Sequence, residues 1–224
     1  MRLWPFAFAL GLVPAAMTPA LAGQDGGTVY IGVRAVGSAA AIGDVGTTAF
    51  TGTTLVENDT DLVAGIAGIV GYSFDKVPLR AELEVGYRFR FDFDVRDVAA
   101  QTIDYEMNIA TTSALLNTIV EWRNDSDFTP FVGATVGWAR NSTDTQRTNL
   151  TTQAQVNRET DVDNLAWGGM AGVDWDFGEE WAAQLAYRYI NLGDVDTGAL
   201  NTTDSITGDD YVSHDVLLSI LFRF

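Results

Sequence analysis

The segment at residues 79–93, LRAELEVGYRFRFDF, alternates between apolar and polar side chains along its whole length. Every odd-numbered position is apolar or aromatic, and every even-numbered position except Gly86 carries a charge. Successive side chains of an extended backbone point to opposite sides, so a period of two predicts a β-strand and fits no helical stripe. One face of this strand is therefore apolar and the other is charged.

Two kinds of protein contain such a strand. In a soluble sandwich or barrel, the apolar face lies in the core and the charged face meets water. In a transmembrane barrel, the apolar face contacts lipid and the charged face lines the lumen, with about 9–11 tilted residues crossing the hydrocarbon. The rest of the chain has to distinguish these two arrangements.

The first 22 residues predict a secretory signal peptide. Arg2 precedes the apolar run LWPFAFALGLVPAAM, and the small residues Ala20 and Ala22 flank Leu21 as in a signal-peptidase site before Gly23. A membrane anchor helix is the alternative, but the run is short and contains two prolines. We therefore divide the chain into a signal peptide at residues 1–22 and one mature domain at residues 23–224.

The composition excludes several classes of protein. Beyond the signal there is no apolar run of about 18 residues that could form a spanning helix, although 47% of the chain is hydrophobic. The absence of cysteine excludes disulfides, thiol catalysis and cysteine-containing metal sites. The formal net charge of -17 argues against nucleic acid as a partner. Most of the acidic residues lie in four polar stretches, at residues 37–61, 94–108, 140–164 and 191–210.

The spacing of apolar segments predicts eight strands whose connections alternate in length. Three connections are short, and the others are the four acidic stretches, which is typical of an outer-membrane barrel. The sequence thus predicts an all-β fold, an eight-stranded antiparallel up-and-down transmembrane β-barrel with short periplasmic turns and long extracellular loops. The predicted strands cover residues 28–36, 62–74, 79–93, 109–122, 129–139, 165–177, 181–190 and 211–224.

Aromatic residues concentrate near the two ends of these strands, as in the girdles of membrane barrels. A soluble lipocalin-like barrel, with its apolar face turned inward, remains the alternative, but it has no reason to collect aromatic residues there. The short-turn end has Tyr72, Phe74, Trp122, Trp175, Phe177, Trp181, Phe222 and Phe224, and the long-loop end has Phe89, Phe91, Phe93, Trp138, Trp167, Tyr187 and Tyr189.

Three segments resemble strands of a known family. TPFVGATVGW at residues 129–138 resembles the TPYxGxGxG strand of small outer-membrane barrels related to the opacity proteins and the OmpA transmembrane domain. AYRYINLG at 186–193 is similar to their GYRYxxLG strand, and LLSILFRF at 217–224 is similar to their ending. Thr135 and Ser219 depart from the pattern, because the family usually has glycine there.

This resemblance implies a location in the bacterial outer membrane, surrounded by its lipid. It also implies that Phe222 and Phe224 form the assembly signal that the barrel assembly machinery recognises. The family includes structural, adhesive and uncharacterised members, so the resemblance does not select one function.

Sites for chemistry are sparse in this sequence. Ser213-His214-Asp215 contains the residue types of a catalytic triad, but alternation along a strand places His214 on the opposite face from the other two. The paired acids at 161–163, 194–196 and 209–210 match no calcium loop, so we expect only weak, salt-sensitive cation binding. We therefore expect no enzyme activity, no cofactor and no metal site.

The polar faces of the strands predict an ionic network that fills the lumen. Eight strands enclose a space just wide enough for side chains, and buried charges there should pair. We place Arg88 and Arg188 at its centre with Glu82, Glu84 and Glu121 as partners. The prediction is a monomeric, non-enzymatic structural or surface-interaction protein that acts through its acidic loops. A narrow pore is the alternative, and a lipid-modifying barrel enzyme is more remote. The predicted network is Arg34, Arg80, Glu82, Glu84, Arg88, Arg90, Glu121, Asp174 and Arg188.

Overall fold

The computed structural model describes residues 26–42, 45–47, 54–57, 60–97, 103–198 and 206–224. The predicted signal peptide at residues 1–22 lies outside these ranges. The barrel strands are β1 Gly27–Ile42, β2 Thr60–Phe74, β3 Leu79–Asp97, β4 Ile103–Glu121, β5 Phe128–Asn149, β6 Gln155–Asp176, β7 Trp181–Asn191 and β8 Tyr211–Arg223. Short strands also form at Val45–Thr47, Thr54–Glu57, Val195–Asp196 and Ile206–Gly208.

The eight long strands close into one antiparallel barrel. Each strand pairs with its neighbour in sequence, β8 pairs with β1, and every backbone edge of the wall is thereby covered along the spanning segments. Short turns at 75–78, 122–127 and 177–180 join strands at one end. This confirms the predicted all-β, eight-stranded barrel. Among the described residues, no helix has the length and apolar character needed to cross a membrane.

Two of the predicted long loops are mostly strand, which corrects that part of the interpretation. β5 runs to Asn149 and β6 starts at Gln155, so only residues 150–154 turn within the polar stretch 140–164. β3 and β4 likewise extend to Asp97 and from Ile103. Threonine-rich segments favour extended backbone even without an apolar face. Hydrophobic alternation does not reveal the extensions of β5 and β6, because both of their faces are polar.

The barrel is apolar outside and charged inside. Val33, Leu62 and Leu218 expose 62%, 83% and 56% of their surface on the outer wall, whereas Arg34 and Glu82 are buried within it. A continuous exposed apolar band is unfavourable in water and suits lipid. The lipocalin-like alternative, which needs the opposite arrangement, is therefore wrong.

Aromatic side chains form contacts at both ends of this band. Near the short turns, Phe128 stacks on Trp175 at 6.3 Å between ring centroids, and Trp181 meets Phe222 edge-on. Near the other end, Trp167 lies 6.3 Å from Tyr189. The side chains of Phe91 and Phe93, predicted to join this upper girdle, lie outside those the structure describes.

Candidate functional site

Arg188 of β7 links two carboxylates across the lumen. Its Nη1 donates to both carboxylate oxygens of Glu84 at 3.0 Å, and its Nε and Nη2 donate to Asp215 Oδ2 at 3.1 and 3.0 Å. The arginine is only 1% exposed. Because Glu84 belongs to β3 and Asp215 to β8, one guanidinium joins two strands that are not neighbours in the barrel.

Asp215 is also held by donors from β3, from β1 and from its own strand, β8. Arg88 Nη2 donates to Oδ2 at 2.6 Å, while Ser38 Oγ and Ser213 Oγ donate to Oδ1 at 2.7 and 2.6 Å. Together with Arg188, these partners use both oxygens of a fully buried carboxylate. Charge-assisted hydrogen bonds of this kind offset much of the cost of burying the charge.

Arg34 of β1 extends the network towards the periplasmic end. Its guanidinium donates to Glu84, to Glu82 Oε2 at 3.2 Å, to Gln184 Oε1 at 2.6 Å and to Ser219 Oγ at 2.9 Å. Glu84 thus lies between two arginines. Ser219 supplies a hydroxyl at a position where the family has glycine, so this departure from the pattern has a structural use.

Arg80 forms the periplasmic layer of the network. It pairs with Asp174 and with Glu121 Oε1 at 3.1 Å. Its guanidinium carbon lies 5.5 Å from the ring centre of Tyr30 and 5.3 Å from that of Phe131. Cation–π contact with two rings partly replaces the water that this buried arginine has lost.

The described lumen therefore contains four buried arginines and five buried carboxylates. Ion pairs between these arginines and carboxylates extend along the lumen from the periplasmic turns to Asp215. At the periplasmic rim, the exposed Arg123 donates to Glu121. The buried set is Arg34, Arg80, Arg88, Arg188, Glu82, Glu84, Glu121, Asp174 and Asp215.

Arg90 is not part of this network, which corrects the sequence prediction. Its side chain is 61% exposed and lies 3.8 Å from Asp144 on the extracellular part of β5. The cause is a bulge in β3: Arg88 pairs with Thr111 but Phe91 pairs with Ile109, so one extra residue interrupts the alternation. Sequence periodicity extrapolated through this bulge puts Arg90 on the wrong side.

The pairing predicted for the centre also needs correction. Glu84 does pair with Arg188, but Glu82 pairs with Arg34 and Glu121 with Arg80. Asp215, which the sequence analysis considered only with His214, is the shared partner of Arg88 and Arg188. Alternation along β8 already predicts that Asp215 points into the lumen. The polar face of β8 is therefore the sequence signal that could have found this residue.

Apolar side chains occupy the lumen between the ion pairs. One cluster surrounds the middle of the network, and a second lies near its periplasmic end. The first contains Val36, Ile119, Phe131, Met170, Ala186 and Leu217, and the second contains Tyr30, Ile69, Ala182 and Leu221.

The three residues that resemble a triad lie on opposite sides of the wall. His214 faces outward, where Tyr187 Oη lies 2.6 Å from its Nδ1 and Tyr189 packs edge-on against its ring. Ser213 and Asp215 bind each other inside the lumen. No nucleophile, base and acid converge here.

The extracellular extension carries an ion pair on its outer face. Arg140 donates to Asp163 through Nε at 2.7 Å and Nη2 at 2.9 Å, and Trp138 Nε1 donates to the same carboxylate. The hydrogen bonds from Arg140 hold the pKa of Asp163 below its usual range. Among the described residues, no group of three or more carboxylate or histidine side chains could hold a metal ion.

Comparison with known proteins gives the family. Residues 8–224 match the outer membrane protein beta-barrel domain. The chain belongs to this family. It is a bacterial outer-membrane protein, and the apolar outer wall is its lipid-facing surface. The outer membrane protein PagN of Salmonella typhimurium strain LT2 is 24% identical over 166 residues, which cover 69% of this chain and 68% of PagN.

Two solved structures are similar in fold. The outer membrane protein AlkL, determined in lipid bilayers, aligns over 90% of this chain and 92% of its own, with a TM-score of 0.51 and 17% identity. OprG of Pseudomonas aeruginosa aligns over 88% of this chain and 95% of its own, with a TM-score of 0.49 and 16% identity.

Proposed function

We propose that this chain is a non-enzymatic outer-membrane barrel with a sealed lumen, which acts as a structural or surface-interaction protein through its acidic extracellular part. The observation that carries this proposal is the buried network around Arg188, Glu84 and Asp215. A pore needs a water-filled path, and here paired charges and apolar side chains occupy the lumen. The strands that extend beyond the membrane supply the surface that partners meet.

The position of the polar residues supports a non-enzymatic role. Ser213 and Asp215 are engaged within the network, and His214 is separated from them by the barrel wall. Lipid-modifying chemistry would require a nucleophile and a base on the same side, within hydrogen-bond reach of each other.

We expect the purified barrel to show no steady conductance above background in a planar bilayer. The physical reason is that ions would have to displace buried ion pairs, which costs several kcal/mol. Single-channel recording tests this. Large, regular conductance steps from the unmodified protein would reject the sealed lumen and favour a narrow channel for small solutes.

We also propose a monomer that is surrounded by outer-membrane lipid, needs no cofactor, does not bind nucleic acid and is inserted by the barrel assembly machinery. Phe222 and Phe224 lie at the periplasmic end of β8 and pack edge-on against each other at 5.1 Å. This aromatic pair, of which Phe224 is exposed, supports the assembly signal.

Replacing Phe224 with alanine should lower the amount of barrel inserted in cells several-fold while leaving refolding in detergent unchanged. Phe224 is 51% exposed, and its backbone N–H, which alanine also has, donates to the carbonyl of Val29 at 3.0 Å. The measurement is the folded fraction on a cold gel, where heat-modifiable migration marks folded barrels. Phe74→Ala, at an exposed girdle position of β2, is the control. Equal losses for both variants in cells would contradict the assembly role.

A further inference from the structure

The segment at residues 191–198 follows β7 and turns into the extracellular mouth of the barrel; we call it the strap. Leu192, Val195 and Thr197 are buried, at 0%, 6% and 2% exposure. Val195 and Asp196 contact both β5 and β6. A segment that simply continued β7 would contact the neighbouring strands β6 and β8 but not β5, so the strap lies across the inner face of β5 and β6.

Side chains of the barrel wall hold the strap by its backbone. Asn141 Nδ2 donates to the carbonyls of Leu192 and Asp194 at 3.1 and 3.0 Å. Asn164 donates to the carbonyl of Asp194 at 2.9 Å and accepts from its N–H at 3.1 Å. These polar contacts are weaker and more easily exchanged with water than an apolar core.

Thr160 provides a further attachment near the end of the strap. Its Oγ1 donates to the carbonyl of Thr197 at 2.9 Å. The strap is also joined to other extracellular segments, because Val195–Asp196 pairs with Ile206–Gly208, which pairs with Val45–Thr47. The strap is therefore part of a small three-stranded sheet at the extracellular end.

Two glycines flank the buried strap residues Val195 and Thr197. Gly193 and Gly198 have φ values of +80° and +65°, in the left-handed region that other residues rarely adopt. A Cβ on Gly193 would lie 2.4 Å from Asn164, and a Cβ on Gly198 would lie 2.8 Å from Thr160 Oγ1. Both positions thus combine backbone freedom with close contact to the wall, as expected of hinges.

Polar groups without partners lie behind the strap. Thr143 and Thr145 point inward from β5 with 3% and 0% exposure, and within the described structure their Oγ1 atoms have no hydrogen-bond partner. Thr143 pairs in register with Thr160, beside the strap attachment. Burying a hydroxyl without a partner is unfavourable, and water would satisfy both groups once the strap moved away.

We propose that the strap is a hinged closure that moves about Gly193 and Gly198 and opens a blind, polar vestibule at the extracellular mouth. The floor of this vestibule is the Arg88–Asp215 pair, so opening admits water and small solutes without creating a channel. The closure is separate from the ionic network: hydrogen bonds from asparagine and threonine side chains and from the backbone of neighbouring segments hold the strap, whereas ion pairs hold the network.

The chain contains no cysteine, so a single introduced thiol reports on the strap. Thr143→Cys removes no hydrogen bond from the described structure and places the thiol behind the strap. In refolded protein, a membrane-impermeant maleimide should label it slowly, compared with a reference thiol from Leu150→Cys in the exposed turn. Adding Asn141→Ala or Asn164→Ala should accelerate labelling at least about ten-fold, the effect of losing two or more hydrogen bonds.

The matched control is Asn124→Ala, which removes hydrogen bonds from its amide to the backbone carbonyls of Trp122 and Phe128 and from Ser126 to its amide oxygen, all at the periplasmic end, and should leave labelling unchanged. Heat-modifiable migration verifies that each variant is folded. If Asn141→Ala does not fold, Asn164→Ala alone tests the closure. Unaccelerated labelling in the folded strap variants, or labelling of the parent as fast as the reference, would overturn the closure. Conductance in the strap variants would overturn the blind vestibule.

Discussion

Arg188→Ala should destabilise the barrel by about 3–5 kcal/mol, the usual cost of removing one partner from a buried ion pair. The variant leaves Glu84 and Asp215 without the guanidinium that joins them, and lipid outside the wall gives these carboxylates no access to water. Arg34 still contacts Glu84, and Arg88 still contacts Asp215. The loss is therefore partial for each carboxylate, but it removes the guanidinium that joins Glu84 to Asp215 and leaves Arg88–Asp215 as the ion pair between β3 and β8.

The free energy of unfolding in urea, measured with the protein in detergent or lipid, tests this prediction. Arg90→Ala is the matched control. Arg90 is also an arginine of a spanning strand, but its side chain is exposed, and its ion pair with Asp144 is long, at 3.8 Å. It should change stability by less than about 0.5 kcal/mol. Equal effects of the two substitutions would show that burial in the network is not what stabilises the barrel.

A double variant separates loss of the pair from loss of packing. If Glu84→Gln is added to Arg188→Ala, the buried carboxylate that has lost one of its two arginine partners is replaced by a neutral amide, and part of the stability should return. Strict additivity of the two single effects would mean that Arg188 and Glu84 do not interact energetically, contrary to their 3.0 Å contacts.

The barrel itself was predictable from the sequence because alternation is a strong local signal. Alternation at residues 79–93 identified the strand and, up to the bulge after Arg88, its two faces; the spacing of apolar segments gave the number of strands, and the lengths of the connections distinguished the two ends. Most of the side chains that line the lumen were also predictable from this alternation. Their ion-pair partners were not predictable, because the relative height of inward residues depends on the stagger between strands, and no local pattern encodes that stagger.

The errors have particular physical origins. Arg90 was misplaced because a single-residue bulge shifts the face without changing the sequence pattern. The extensions of β5 and β6 were taken for loops because both faces are polar there, as with Thr143 inside and Asp163 outside. The strap was missed because asparagine-to-backbone hydrogen bonds hold it, and asparagine in a polar stretch also occurs in ordinary loops.

The lipid-facing wall yields the second prediction of large effect. Leu218 lies on the outer face of β8, midway between Phe222 at the periplasmic girdle and His214 at the extracellular end, and it is 56% exposed. Leu218→Lys places a charge near the middle of the apolar band. A lysine there is expected to cost about 2–4 kcal/mol, because hydrocarbon cannot solvate the ammonium.

Leu150→Lys is the matched control for this substitution. Leu150 lies in the turn between β5 and β6 and is 40% exposed, but its surroundings are water rather than lipid. The same change there should alter stability by less than about 0.5 kcal/mol. In a water-soluble barrel, both leucines would be ordinary surface positions, and both lysines would be tolerated. The measured difference between the two variants in unfolding free energy, in bilayers of defined thickness, thus reports directly on the surroundings of the outer wall, and a difference near zero would contradict its contact with lipid.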